Sequence, residues 1–248
     1  MNKIKASDIP MQGDFLVIDK QKYSVMFSTA INDRNFNRHS DDGALELEKL
    51  KDEFNLEGLI YIRQIHSDVI YTYDGNISEH DFRENEGDAI ITAKNNIGIG
   101  IFTADCTPVI IADRNKKVVA AVHSGWKGTY KSITLKTINK MISEFFCSPQ
   151  DIEVFIGPHI KKCCYEVSEE LKEKFINEKK DIHKDKLFSG RNLSMEECIL
   201  DDLKKCNIND KNINILDECT YCSKDIKLHS YRRTNGDYGR LFSFIVIK

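Results

Sequence analysis

The stretch TADCTPVIIADRNKKVVAAVHSGWKGT, residues 103–129, contains two apolar runs, PVIIAD (108–113) and KVVAAVH (117–123), separated by a polar turn. Both runs are short, rich in β-branched residues and bounded by Asp, Asn or Gly, so they read as strands. SGWKG breaks that pattern. Beyond it Ile138, Met141, Ile142 and Phe145 recur at helical spacing, and EVFIG (153–157) returns to an extended pattern, giving a strand, helix, strand unit.

Working outward, GLIYIR (58–63), DVIYTY (68–73), DAIIT (88–92) and IGIGIF (97–102) carry the same strand signature, and LFSFIVIK (241–248) reads as a terminal strand. Ser168 ahead of Glu169, Glu170, Leu171 and Phe175 predicts a helix start. Ser194 with Glu197 forms a capping-box pattern before Ile199 and Leu203. The charged segment INEKKDIHKDKLFSGRN (176–192) is expected to be a solvated helix end and loop rather than a linker. No internal repeat is evident. The sum is a mixed α/β fold, a large mixed β-sheet flanked by helices, with residues 1–248 expected to form a single domain.

Charged residues make up 30% of the 248 positions, yet they nearly cancel to a net charge of −3. That balance lacks the basic footprint of a nucleic-acid or anionic-membrane binder, so the expected partner is a small molecule, with no nucleic acid and no membrane. No run approaches the roughly 20 apolar residues of a membrane helix, and MNKIKASDIPMQGDF lacks a signal core, which predicts a cytoplasmic protein. In that compartment the 8 cysteines should remain thiols, and any special one should act as a ligand or nucleophile.

His66, Cys106 and His123 stand at predicted strand ends. Two imidazoles and a thiolate suit zinc, and three protein ligands leave a fourth position open, as in catalytic sites. Their spacing matches no local zinc motif, so the residues alone leave open a Cys106 buried as a small hydrophobe and two hydrogen-bonded strand-end histidines. SGWKG leads either into a helix start able to face an anion or into a plain turn. SYRRTNGDYGR (230–240) concentrates arginines that suit phosphate or carboxylate. CTYC (219–222) reads as structural or as a minor metal site, with Cys163 and Cys164 adjacent to each other elsewhere. His159 is a candidate pocket or loop residue, whereas His39, His80 and His183 sit in polar stretches that predict solvation.

Taken in order, QIHSD, GDAIIT, TADCTPVIIAD, AAVHSGWKGT, IGPHIKKCCYEVSEEL and SYRRTNGDYGR resemble the laccase-domain family, the polyphenol oxidoreductase-like proteins. The likeness runs from about Gly58 to the end, and its TADC and HSGWKGT segments are highly specific. It implies a zinc site on His66, Cys106 and His123. It also implies phosphorolysis of adenosine, inosine, guanosine and methylthioadenosine, the purine nucleoside phosphorylase activity of bacterial and animal members, together with adenosine deamination. Two departures stand out. FSTAINDRNFNRHSDDG (27–43) lacks the arginine and glycines usual after the first strand, which directs the anion contact to Arg34 or Arg38, and no glycine follows Ile160.

With 7 histidines and no H-x-H pair, a multicopper laccase is disfavoured, and copper is expected only as an adventitious ion at the same ligands. The H-x-E and P-C-x-x-C signature of the usual zinc deaminases is absent, so deamination would use an unrelated fold. For phosphorolysis, phosphate is assigned to Arg232 or Arg240. Asp105 is assigned either as a proton carrier beside Cys106 and His123 or as a carboxylate orienting a histidine, and Gln64 to base or sugar. Two other readings stay open: a hydrolase that edits peptidoglycan precursors, and a non-enzymatic structural zinc protein, which would need four ligands in a closed site. A monomer or homodimer is expected.

Overall fold

The two apolar runs of residues 108–123 pair as an antiparallel hairpin, in register from Val118 opposite Asp113 to Ser124 opposite Thr107. Its turn is fixed by Asp113, whose carboxylate accepts the amides of Asn115 (2.7 Å) and Lys116 (2.8 Å). The computed structural model describes residues 1–236 and 239–248, so Asp237 and Tyr238 of the arginine-rich tail lie outside the described residues. In chain order the strands are β1 (Asn2–Ile4), β2 (Met11–Gln12), β3 (Phe15–Asp19), β4 (Tyr23–Ser28), β5 (Gly58–Ile60), β6 (Ile70–Tyr73), β7 (Ala89–Thr92), β8 (Ile97–Thr103), β9 (Thr107–Asp113), β10 (Val118–Ser124), β11 (Ile152–Ile156), β12 (Phe188–Ser189), β13 (Asn192–Leu193), β14 (Ile213–Leu216) and β15 (Leu241–Ile247). The helices are α1 (Asp41–Glu53), α2 (Glu79–Arg83), α3 (Trp126–Tyr130), α4 (Ile133–Phe145), α5 (Glu169–Glu178), α6 (Lys184–Leu187), α7 (Met195–Lys205) and α8 (Tyr231–Thr234).

The mixed α/β class is as expected, but all strands except the β12–β13 pair divide between two large sheets. One has the order β1-β14-β11-β9-β10-β7-β6, the other β2-β3-β4-β15-β8-β5, and each mixes parallel and antiparallel pairs. They stack face to face. Leu16, Val25, Phe27, Ile99, Ile101 and Ile245 of one meet Ile90, Ile110, Val119, Ala121 and Phe155 of the other in a common apolar layer. Helices cover the outer faces: Ile138 and Met141 of α4 with Ile199 and Leu203 of α7 on the first sheet, Leu47 and Leu50 of α1 on the second. Buried runs that look continuous along β9 and β10 thus have a sheet on one side and helices on the other.

Local predictions hold where periodicity is strong. Ser168 caps α5 by accepting from the amide of Leu171, and Ser194 caps α7 by accepting from that of Glu197. The helix after SGWKG is interrupted: α3 ends and Ser132 adopts a left-handed conformation before α4 begins. GLIYIR keeps only Gly58–Ile60 in the sheet, because Arg63 turns away to exchange backbone hydrogen bonds with Asn85 and Gly87. The expected loop at 176–192 instead contains α6 and the small β12–β13 hairpin, which tuck Leu187, Phe188 and Leu193 into a side core. Among the described residues no helix is long and apolar enough to cross a membrane.

Candidate metal centre and adjoining pocket

Three residues, Ala104 to Cys106, carry the chain from β8 in one sheet to β9 in the other, with Asp105 at a φ of 93°. This tight crossing places Cys106 beside the end of β10, where His123 stands, and beside the loop before β6, where His66 stands at a φ of 58°. The ligand atoms of His66, Cys106 and His123 all lie within 4.8 Å of one another, and His66 Nε2 is 3.8 Å from Cys106 Sγ. The structure therefore brings together the trio read from the sequence.

The carboxylate that organises it is Asp88, just ahead of β7. It accepts from His123 Nδ1 at 2.7 Å, from the His66 amide at 3.0 Å, and from the amide and hydroxyl of Ser67. Holding His123 at Nδ1 turns Nε2 toward the other two ligands, the arrangement by which metal-bound histidines are oriented. Burial opposes charge on Cys106, but the neighbouring His123 charge and hydrogen bonds from both histidines outweigh it and bring the thiol down to about 6. Burial likewise opposes charge on His123, yet Cys106 and then Asp88 raise it to about 9. Donor chemistry and geometry fit a soft or borderline divalent ion with an open position. Gly125 keeps the cradle clear: a Cβ there would stand 2.8 Å from His66 Cδ2 and 3.2 Å from Cys106 Sγ.

The trio borders a cavity of about 440 Å³ whose wall includes Phe102, Trp126, Ile160, Tyr165 and Met195, with Arg38, Arg63, Arg232 and Arg240 also reaching it. The Arg232 guanidinium lies over the Tyr165 ring at 5.2 Å and donates to the Glu166 carbonyl at 2.9 Å. Arg240 joins the 35–37 loop through its backbone, donating to Asn35 and accepting from Phe36. Arg38, Arg63 and Arg240 line the cavity together with exposed His39, which partial desolvation first, and then those arginines, hold below its usual range.

Other sequence-predicted residues fall differently. Asp105 lines the cavity, but its carboxylate accepts the Thr220 hydroxyl at 2.6 Å and the Arg232 amide at 2.8 Å, while the role of orienting a histidine belongs to Asp88. Gln64 also reaches the cavity with its carboxamide paired to the Phe102 backbone, donating and accepting at 2.7 Å, because strand β5 ends before it. Arg34 is not an anion contact: it pairs with Glu46 at 2.6 Å and Glu53 at 2.8 Å and lies over Phe15 and Phe36. Arg38 takes the pocket position instead. His159 is buried behind the cavity wall on the Gly157 carbonyl. Sequence reasoning missed Asp88, whose signal is a carboxylate at the threshold of a fully buried strand. It also missed Tyr165, which the side core holds against Arg232.

The model of the multi-copper polyphenol oxidoreductase laccase family matches residues 25–248. A purine nucleoside phosphorylase of Clostridium acetobutylicum is 47% identical over 238 residues, covering 94% of this chain and 96% of that one. A second, from Borreliella burgdorferi, is 32% identical over 199 residues, covering 76% and 82%. The crystal structure of Bacillus licheniformis hypothetical protein YfiH superposes with a TM-score of 0.85 at 26% identity, covering 95% of this chain and 97% of that one.

Proposed function

The chain belongs to the multi-copper polyphenol oxidoreductase laccase family, and on that footing we propose that it is a purine nucleoside phosphorylase, cleaving a nucleoside with phosphate into base and sugar 1-phosphate. The observation that carries the reading is one cavity of about 440 Å³ bounded by the His66–Cys106–His123 trio, by aromatic walls and by Arg38, Arg63, Arg232 and Arg240. A purine needs apolar faces to lie between, and phosphate needs fixed cations beside the sugar. The relatives bearing the phosphorylase name make this chemistry the first choice for such a cavity.

His66, Cys106 and His123 would hold zinc, which supplies a Lewis acid for an oxygen of the substrate or of phosphate. The chain's own groups supply the rest. Arg232, seated on Tyr165, and Arg240 hold phosphate, with Arg38 and Arg63 adding positive potential. Trp126 and Phe102 offer apolar and aromatic surface to the base. We assign to Asp105, held by its bonds to Thr220 and Arg232 at the cavity wall, the transfer of a proton to the departing purine. A laccase assignment fits poorly: among the described residues the only other metal-competent group consists of cysteines, so no multi-histidine copper cluster accompanies the trio. Adenosine deamination is the second activity we assign to the site, on the open position beside the three ligands.

Purified protein of known metal content is incubated with adenosine, inosine, guanosine and methylthioadenosine, with and without phosphate, and products are resolved by mass spectrometry. Phosphate-dependent release of base and sugar phosphate is expected; no turnover of any nucleoside would sink the proposal. Inosine formed from adenosine without phosphate isolates the deaminase activity. Cys106→Ala and His123→Ala should lose both zinc and turnover while remaining folded, and full activity in zinc-free Cys106→Ala would refute the site.

A further inference from the structure

The adjacent Cys163 and Cys164 and the C-x-x-C pair Cys219 and Cys222 lie far apart in sequence, yet the fold gathers them. All four sulfurs lie within 4.8 Å of one another, and Cys163 Sγ is 3.7 Å from Cys222 Sγ. A disulfide requires about 2.05 Å. Four thiolates around one zinc, at about 2.3 Å each in tetrahedral array, stand about 3.8 Å apart. We propose that Cys163, Cys164, Cys219 and Cys222 form a second, structural zinc site, separate from the His66–Cys106–His123 trio.

The surroundings suit a tetrathiolate centre. Cys164 and Tyr165 both return their amides to the Lys161 carbonyl, at 2.9 and 3.0 Å, a tight turn that brings consecutive thiols to the same side. The amide of Lys161 donates to Cys219 Sγ at 3.5 Å, supplying the kind of bond that supports a ligating sulfur. Arg233 clamps the knuckle from outside, donating to the Thr220 carbonyl at 3.2 Å and the Tyr221 carbonyl at 3.4 Å. Its positive charge would offset the doubly negative centre left when four thiols release their protons to bind one divalent ion. Cys219 is buried, whereas Cys163 and Cys222 are exposed, so the ion has a route in from solvent.

The centre would brace one wall of the cavity. Tyr165 follows Cys164 directly and carries the Arg232 guanidinium, and Thr220 between the knuckle cysteines donates to Asp105. Neither segment belongs to a strand of the two large sheets; Cys219 is tied to the chain before Cys163 by a single bridge to His159, and the cross-link would add a second tie between them.

Protein purified under reducing conditions, loaded with zinc and desalted, is assayed for metal by inductively coupled plasma mass spectrometry. Two zinc ions per chain are expected, with Cys222→Ser and Cys163→Ser each retaining one and Cys106→Ala losing the other. If the trio holds no zinc, the wild type should carry one ion that Cys222→Ser removes and Cys106→Ala does not, so failure of the active-site reading is distinct from failure of this one. Should the serine variants not fold, the wild type still decides: zinc should block alkylation of all four cysteines, and a chelator should restore it. Unchanged metal content in folded Cys222→Ser, a Cys163–Cys222 disulfide in the reduced preparation, iron in place of zinc, or alkylation equally fast with and without zinc would each overturn the proposal.

Discussion

Asp88 fixes the metal side of the cavity by accepting from two histidine-bearing positions at once, the His66 amide and the His123 imidazole. Burial favours its neutral form, but the hydrogen bond from His123 and its charge, with those from Ser67, keep it ionised. Asp88→Asn removes that charge and one acceptor. We expect zinc affinity to fall roughly 10- to 100-fold, measured by chelator competition, with the fold intact by circular dichroism; unchanged affinity would mean that Asp88 does not orient the ligands. Gly125→Ala is the steric counterpart. Its methyl would stand 2.8 Å from His66 Cδ2, so zinc should be lost from the trio while the four-cysteine centre keeps its ion. The His66–Cys106–His123 cluster was legible from sequence because Cys and His are scarce and Cys106 and His123 flank the two apolar runs, although His66 lies in a loop rather than at a strand end. Asp88 was not, since it is one of 39 acidic residues and only its contacts distinguish it. Gln64 reaches the cavity from the loop that follows β5, a position that local strand patterning does not encode.

At the level of elements, α3, α4, α5 and α7 meet around a buried ion pair. Lys179, capping the end of α5, donates to the Ser132 hydroxyl at 2.6 Å, between α3 and α4, and stands 3.6 Å from Asp202 of α7. Both charged side chains are almost fully buried, at 3% and 1% exposure, so each depends on the other. Burial pushes the Asp202 carboxyl upward, and Lys179 only partly counters it. Lys179→Met leaves a buried carboxylate without its cation and should cost about 3–5 kcal/mol. A double variant, Lys179→Met with Asp202→Leu, should recover most of that loss. Denaturant unfolding of the two variants tests this, and equal destabilisation would show that the pair is not coupled. Helices α4 and α7 were readable because their apolar residues repeat at helical spacing and Ser194 sits at a start. The β12–β13 hairpin was hidden by the charges around it, since Leu187, Phe188 and Leu193 are too few to form a period.

Across the whole molecule, the strand signals gave the mixed class but not the division into two sheets, because pairing is a long-range choice that local alternation does not encode. β15, the last strand, lies between β4 and β8, so one sheet closes only when the chain's end reaches its beginning. The candidate metal trio depends on both sheets: Cys106 sits where the chain crosses between them, and His123 is the penultimate residue of β10 in the other sheet from β8. If residues 1–248 form one cooperative unit, damage between the sheets must unfold the site along with the rest. Phe27 of β4 tests this. Its ring would be 2.3 Å from a Cβ placed at Gly157, just beyond β11 of the opposite sheet, so the residue fills the inter-sheet layer where only a glycine fits. Phe27→Ala should cost about 3–5 kcal/mol as transfer and cavity terms add. At roughly 2–4 °C per kcal/mol for a chain of this size, the midpoint should fall by roughly 6–20 °C. Trp126, the only tryptophan, borders the metal cavity and packs against the side core, so its fluorescence reports on the site, while far-ultraviolet circular dichroism reports on both sheets. The two transitions should move down together. A tryptophan transition left in place while the dichroism shifts would show that the site holds together independently of the inter-sheet layer.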